Sequence, residues 1–220
     1  MQPLQKSPLA IAVALAAVGA TPAVAAAHPG GSGYVYVNDN STGTNTVAGF
    51  ARDAHGDLTP LPGSPFAAGG TGSGVGLASQ GAIQVTGDGR YVIAVDAGSD
   101  EISVLRIKPH GGLELVPHGV VSSGGAEPVS VAEHHGLVYV ANAGAGGSNY
   151  TGFTLSPGGH LRPLERSTVA LPDDAQPGDV LFNSTGTNLV GTRVNTSQID
   201  SFRVRADGRV TAAPGAPFAA

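Results

Sequence analysis

Three polar side chains beside predicted turns could take part in acid–base chemistry: the carboxylates of Glu127 and Asp179 and the guanidinium of Arg193. Such chemistry needs a base that accepts a proton and a donor that stabilises developing negative charge. A carboxylate can supply the first and a guanidinium the second. Each of the three also lies beside a predicted turn, where the alternative role of a polar side chain is to cap that turn.

The seven histidines raise the question of a metal site, and their positions argue against one. His134 and His135 are adjacent, and adjacent side chains of an extended chain point to opposite sides. Three other histidines fall in turns that are equivalent to one another. The sequence has no zinc-type spacing and no Gly-x-Ser-x-Gly motif, and the Gly-rich segment 70–74 lacks the lysine of a phosphate-binding loop. We therefore predict neither a metal nor a cofactor.

Composition narrows the class of protein and its partners. The 220 residues carry a net charge of −5 and no basic cluster, so nucleic acid is not an expected partner, because phosphate binding needs clustered Lys and Arg. Hydrophobic residues make up 41% of the chain, enough to bury a core. The 34 glycines interrupt short apolar runs, which indicates many tight turns.

The N-terminus has the pattern of an export signal. Lys6 precedes an apolar run over residues 9–20, and Ala25 and Ala27 fit the small-residue rule for signal-peptidase cleavage. The run is shorter than the roughly 20 residues of a membrane span. We expect residues 1–27 to be removed as a signal peptide, leaving a secreted protein without a transmembrane anchor.

Residues 28–220 contain four repeats in which an apolar strand, a polar turn, an alternating strand and a glycine turn follow one another. The first strands are predicted at 34–38, 91–96, 137–142 and 189–192, and the second strands at 46–52, 102–107, 150–155 and 199–204. A further strand precedes three of the repeats, at 81–86, 129–133 and 178–183.

The glycine turn is the clearest marker of the repeat. Its glycine is Gly56, Gly111, Gly159 and Gly208 in successive repeats, at steps of 55, 48 and 49 residues. Glycine suits a hairpin turn that needs positive φ. This period, with β-type segments alone, predicts an all-β partial β-propeller of about four blades, each a four-stranded antiparallel sheet, with no helix in the mature chain.

The segment 62–68 recurs almost unchanged at 214–220, where the sequence stops. After the first copy the chain continues into another inner strand, whereas after the second it does not. We interpret the chain as an incomplete propeller. Its open blade edges favour self-association, because unpaired edge strands pair readily with other chains.

The segments 91–98 (YVIAVDAG) and 137–144 (LVYVANAG), with the glycine turns and the prolines Pro128 and Pro177 before inner strands, resemble the repeats of the seven-bladed lactonase propeller family. That family includes 6-phosphogluconolactonase and carboxymuconate cycloisomerase. The resemblance covers about residues 33–220 and implies a small lactone or sugar-derived ligand. The same strands also resemble the repeats of surface-layer propellers, which need not be enzymes.

The resemblance places ligands over the axial funnel of the propeller. Asp96, Asn142 and Arg193 follow equivalent strands and, with Asn38, would ring one face of the propeller as ligand-binding residues. Loops at this face hold the ligand in such propellers, so residues at the ends of these strands are the natural candidates.

The catalytic candidates on this interpretation are Asp179 or Glu127, at the starts of inner strands, together with Arg193. Active relatives carry His or Arg just after the proline of an inner strand, where this chain has Val129 and Gly178. Little or no turnover of 6-phosphogluconolactone is therefore expected. Two functions stay open: a lactone hydrolase or cycloisomerase, and a non-catalytic exported protein that serves as a binding or scaffold module.

Overall fold

The computed structural model describes residues 32–220, which form 18 β-strands and one 3₁₀ turn. The first eight strands are β1 (Gly33–Asn38), β2 (Thr44–Arg52), β3 (Leu58–Pro60), β4 (Phe66–Thr71), β5 (Ile83–Val85), β6 (Tyr91–Asp96), β7 (Glu101–Ile107) and β8 (Leu113–Ser122). The other ten are β9 (Pro128–His134), β10 (Leu137–Asn142), β11 (Asn149–Leu155), β12 (Leu161–Pro163), β13 (Val169–Ala170), β14 (Pro177–Phe182), β15 (Asn188–Arg193), β16 (Gln198–Val204), β17 (Val210–Ala212) and β18 (Phe218–Ala219). The signal peptide predicted for residues 1–27 lies outside the described residues.

Within residues 32–220 the segment closest to a helix is the three-residue turn Pro109–Gly111, whose middle residue, His110, has a left-handed backbone with φ of 66°. Proline fixes φ at the first position of this tight turn. No helix within residues 32–220 has the length and apolar character that a membrane crossing requires.

The strands form four antiparallel sheets in chain order: sheet 1 (β1–β4), sheet 2 (β5–β8), sheet 3 (β9–β13) and sheet 4 (β14–β18). In sheets 2 to 4 an inner strand (β5, β9 or β14) precedes two central strands and an outer strand, which is continuous over ten residues in sheet 2. The outer strand is interrupted in sheets 1, 3 and 4, where two segments pair with the same neighbour. Sheet 1 starts at β1, without an inner strand among the described residues. The predicted all-β architecture of about four antiparallel blades is confirmed.

The four turn glycines adopt the conformation that the repeat predicts. Their φ angles are 96° at Gly56, 82° at Gly111, 88° at Gly159 and 81° at Gly208. Side chains rarely tolerate this region of backbone space. The sequence marker of the repeat therefore marks the hairpin that joins the second central strand to the outer strand in every sheet.

Successive sheets pack face to face. Side chains alternate between the two faces of a strand, so a central strand can contribute apolar side chains to the contacts with both neighbouring sheets. In β6, Ile93 and Val95 join a core cluster with Val140 of sheet 3. Val92 and Ala94, between them in sequence, belong to the cluster shared with sheet 1. We call the face toward the next sheet the forward face and the face toward the preceding sheet the rear face.

The same contact recurs at all three junctions. A side chain near the start of the first central strand covers the turn glycine of the following sheet: Tyr34 covers Gly111, Tyr91 covers Gly159, and Leu137 covers Gly208. A Cβ added at these glycines would lie 2.4, 2.5 and 3.0 Å from the covering side chain. Tyrosine hydroxyls provide a second contact between successive sheets. Each of Tyr36, Tyr91 and Tyr139 donates a hydrogen bond to a backbone carbonyl in the turn of the next sheet.

Candidate functional site

Each sheet carries a hydrogen-bonded polar pair whose members are seven residues apart, across the hairpin between its two central strands. The pairs are Asp39–Thr46 at 2.8 Å, Asp96–Ser103 at 2.5 Å, Asn142–Asn149 at 2.9 Å, and Arg193–Asp200 at 2.6 and 2.8 Å. The predicted residues Asp96, Asn142 and Arg193 thus occupy equivalent positions. The place that sequence reasoning gave to Asn38 belongs to Asp39.

Asn38 lies on the forward face of sheet 1 instead. Its amide donates to the carbonyl oxygens of Ala82 and Val95 in sheet 2, at 3.1 and 2.8 Å. A shift of one residue moves a side chain to the opposite face of a strand. Asn38 therefore joins the first two sheets.

The side chains of Asp96 and Asn142 are fully buried. The Asp96 carboxylate accepts hydrogen bonds from Ser103 and from Asn45 of the preceding sheet. Burial raises the pKa of Asp96 above its ordinary value, although these two hydrogen bonds act in the opposite direction. The Asn142 amide donates to Asn149 and to the carbonyl oxygen of Ser123. Both side chains lie inside junctions between sheets.

Arg193 forms a bidentate ion pair with Asp200, and both side chains are largely buried, with 13% and 3% of their surface exposed. The same carboxylate accepts a hydrogen bond from the Tyr150 hydroxyl of sheet 3 at 3.1 Å. Hydrogen bonding to Asp200 raises the pKa of the guanidinium, and burial raises the pKa of the Tyr150 phenol. This triad ties sheet 4 to sheet 3.

A cleft lies where the inner strands of sheets 3 and 4 begin. Pro128 and Pro177 start these strands, and the exposed residue before each proline, Glu127 or Gln176, has a left-handed backbone with φ of 52° or 45°. Left-handed conformations of such residues are uncommon and often occur at functional sites. Both residues line the same cavity.

Two adjoining cavities, of about 100 and 240 Å³, make up this axial cleft. They share Ala78, Gly178 and Val194. The cleft is lined by the segment between β4 and β5 and by residues of sheets 3 and 4, principally Leu77, Ala78, Gln80, Glu127, Gln176, Gly178, Asp179, Thr192 and Val194. Glu127 and Asp179, two of the predicted catalytic residues, thus line the same cleft, whereas Arg193 is not among its lining residues.

Asp179 is positioned by a residue that sequence reasoning did not select. The Ser130 hydroxyl, at the equivalent place on the neighbouring inner strand, donates to Oδ1 of Asp179 at 2.5 Å. The backbone N–H of Val180 also donates to Oδ1, at 2.9 Å, and the N–H of Asp179 donates to Oγ1 of Thr192 at 3.0 Å. No residue in the range 32–220 donates a hydrogen bond to Oδ2. The signal for Ser130 was its place two residues after Pro128, matching Asp179 after Pro177.

The ionisable side chains that line the cleft are all acidic. Its ionisable lining residues are Glu127 and Asp179, and within the described chain no Lys, Arg or His lines either cavity. Val129 is buried in the core of the sheet 3–sheet 4 junction. A Cβ at Gly178 would lie 2.7 Å from Cγ2 of Val194. The positions where a cation was looked for in the sequence therefore have no space for a long basic side chain.

The two adjacent histidines differ from expectation. The rings of His134 and His135 contact each other edge to face, with centroids 4.4 Å apart, rather than pointing to opposite sides. His135 has left the extended conformation, with φ of 49°, which turns its ring toward its neighbour. Residues 32–220 contain no group of three or more His, Asp or Glu side chains placed to hold a metal ion.

Stacked antiparallel sheets, contacts between successive inner strands and a polar cleft at their ends define a partial β-propeller. The fold is similar to that of the periplasmic gluconolactonase PpgL of Pseudomonas aeruginosa, with a TM-score of 0.65 and 16% identity over 83% of this chain and 55% of that one. A protein of Bacteroides fragilis, provisionally assigned as a 6-phosphogluconolactonase, matches with a TM-score of 0.64 and 17% identity over 82% of this chain and 52% of that one. A similarly assigned protein of Bacteroides uniformis matches with a TM-score of 0.63 and 21% identity, over 85% and 54%.

These comparisons confirm the expected resemblance at the level of fold. The chain spans about half the length of the propeller chains it matches. No protein-family model matches the sequence, and no curated protein matches it.

Proposed function

We propose that this protein is an exported propeller that hydrolyses a small, uncharged sugar lactone in the axial cleft, with Asp179 as the base. The observation that carries the proposal is the Ser130–Asp179 pair, a carboxylate fixed on an inner strand at the wall of a cleft. The fold supports it, since one of the similar structures is a periplasmic gluconolactonase.

The arrangement around Asp179 suits a general base. Ser130 and the Val180 N–H occupy Oδ1 and fix the carboxylate plane, which leaves Oδ2 to accept a proton from water. As that water oxygen bonds to the lactone carbonyl carbon, the lining groups able to donate to the carbonyl oxygen are the hydroxyls of Ser79 and Thr192 and the Gln80 amide. The ring C–O bond then breaks, and the proton held by Asp179 passes to the leaving alkoxide, giving a hydroxy acid.

Charge decides which lactone fits. A phosphorylated or carboxylated lactone would meet Glu127 and Asp179 without a compensating cation in the cleft. Desolvating an anion against a like charge is costly. The polar lining of amides and hydroxyls favours a polyhydroxylated, uncharged ring.

Replacing Asp179 with asparagine is expected to lower kcat/KM for glucono-δ-lactone by roughly a hundredfold, the contribution of a positioned base. Asparagine keeps the shape of the side chain but cannot accept the proton. Acid release in a lightly buffered indicator assay, corrected for spontaneous opening, measures the rate. Asp174→Asn is the matched control, because Asp174 is exposed and outside the cleft.

Two results of this assay would contradict the proposal. One is an Asp179→Asn variant as active as the unchanged protein. The other is 6-phosphogluconolactone as the better substrate, since that would require a cation in the cleft.

A second candidate is a non-catalytic exported protein that binds a small polyol in the same cleft. The observation that favours it is the Arg193–Asp200 pair, which keeps the predicted electrophilic guanidinium away from the cleft. On this alternative no lactone opens faster than in buffer, and calorimetric titration with a neutral sugar detects binding that Asp179→Asn weakens.

Export is the part of the proposal that rests on residues 1–27 alone. Lys6, the apolar run at 9–20 and the alanines up to Ala27 match the three regions of a signal peptide. Protein recovered from the periplasm or medium is expected to begin near His28. N-terminal sequencing measures this, and a cytoplasmic product that retains Met1 would overturn it.

A further inference from the structure

The forward face of sheet 4 and the rear face of sheet 1 are the two ends of the described stack, and both carry exposed apolar side chains. On sheet 4, Leu181 and Val190 have 61% and 39% of their surface exposed. They border a cavity of about 370 Å³ together with Phe182 and Thr192. On sheet 1, Val37 is 46% exposed. Exposed apolar side chains grouped around a cavity, as on sheet 4, commonly mark an interaction site.

Within the chain, the forward face of one sheet packs on the rear face of the next at three junctions. The forward face of sheet 4 and the rear face of sheet 1 are the two faces of this kind that have no partner among the described residues. Val190 occupies the place on the forward face that Ile93 occupies in sheet 2, and Val37 the place on the rear face of Val140 in sheet 3. Ile93 and Val140 belong to the same core cluster. The last sheet and the first sheet therefore present complementary halves of one contact.

The turn glycine gives a second, independent sign. Gly111, Gly159 and Gly208 are each covered by a side chain of the preceding sheet, whereas a Cβ at Gly56 meets no atom within 4 Å. Gly56 has the same positive φ as the other three. The first sheet thus has the turn that a preceding sheet would contact, but no side chain among the described residues covers it.

We propose that two copies of this chain close on each other, the forward face of sheet 4 in one copy packing on the rear face of sheet 1 in the other. The occupant is a second copy because the chain itself supplies both halves of the contact: the exposed apolar side chains of sheet 4, and the exposed Val37 with the uncovered Gly56 turn of sheet 1. Two copies supply eight sheets, four from each, which is the upper end of the usual range of about four to eight blades. Head-to-tail contacts that close in this way leave no open face.

Sedimentation of the purified secreted protein over a wide concentration range tests this, with twice the mass of one chain as the expected result. Val190→Glu and Val37→Lys are each expected to weaken association by roughly a hundredfold, because each buries an unpaired charge in both junctions. Val85→Glu is the matched control, an exposed valine on an inner strand of sheet 2. Thermal melts confirm that each variant is folded.

Mixing the two variants separates this arrangement from others. In a mixed pair one junction is unchanged, and the other sets the carboxylate introduced by Val190→Glu against the ammonium introduced by Val37→Lys, so association is expected to recover. A dimer joined through two copies of sheet 4 would respond to Val190→Glu but not to Val37→Lys, and would overturn the proposal. A monomer at all concentrations would overturn it as well, and would point to further sheets of a longer chain covering both faces. Asp179 and Thr192 border the same cavity as Val190, so lactone turnover is measured in each variant as well. A loss of association with unchanged turnover separates docking from the proposed hydrolysis.

Discussion

Arg193→Ala is expected to lower the free energy of unfolding by about 3 to 5 kcal/mol, the cost of removing one partner of a buried ion pair. The guanidinium makes two short hydrogen bonds to Asp200, whose side chain is only 3% exposed. Without Arg193, a buried carboxylate keeps only the Tyr150 hydroxyl as a side-chain donor. That charge lies in the junction between sheets 3 and 4, so the loss weakens the contact between two sheets.

Urea denaturation followed by circular dichroism measures this effect. Arg203→Ala, which removes an exposed arginine from the same sheet, is the control and should change stability by no more than about 0.5 kcal/mol. The double variant Arg193→Met with Asp200→Leu should recover part of the loss, because no charge stays buried. Normal stability combined with lost lactone turnover in Arg193→Ala would show instead that the guanidinium acts in catalysis.

Gly159→Ala is expected to cost about 3 to 4 kcal/mol, and Gly56→Ala only about 1 to 2 kcal/mol, although both occupy the same turn of the repeat. Both glycines have positive φ, of 88° and 96°, so an alanine is strained at either. At Gly159 a Cβ would also lie 2.5 Å from Cε1 of Tyr91, whereas at Gly56 it meets open space. The difference between the variants therefore measures the packing of one sheet on the turn of the next.

The comparison is best made in the Val190→Glu background, where the Gly56 turn stays uncovered by a second copy. Chemical denaturation gives both values. Equal losses would mean that the junction relaxes around the added methyl group and that tyrosine packing on the turn adds little to stability.

The repeats and the positions of the strands could be predicted from the sequence because each depends on residues that are close together in the chain. Alternating side chains mark the central strands, and the turn glycine marks a backbone conformation that few other residues adopt. The second strand predicted at 102–107, for example, is observed at Glu101–Ile107. Even the interrupted outer strands begin where an apolar residue follows the turn glycine by two positions, as Leu58 follows Gly56.

The environment of the candidate site could not be predicted in the same way, because it depends on which face a residue occupies and on what the next sheet brings to it. Arg193 was recognised as a strand-end residue, but its partner Asp200 lies across the hairpin and Tyr150 comes from another sheet. Ser130 gains its role only because the inner strands of sheets 3 and 4 run side by side. A single residue of register separates Asn38 from Asp39, and that decides which of them holds the position of Asp96.

The close approach of the inner strands at Gly81 has a consequence for the curvature of the whole stack. A Cβ at this position would lie 2.0 Å from Oγ of Ser130 and 2.4 Å from Oδ1 of Asp179, so three sheets converge on a point that admits no side chain. Close approach of the sheets at the axis favours rotation of each sheet relative to the one before it. A bulkier residue at 81 would force the inner ends apart and reduce that rotation, so that more sheets would be needed to complete a circle. The close approach of sheets 2, 3 and 4 therefore depends on a glycine at position 81.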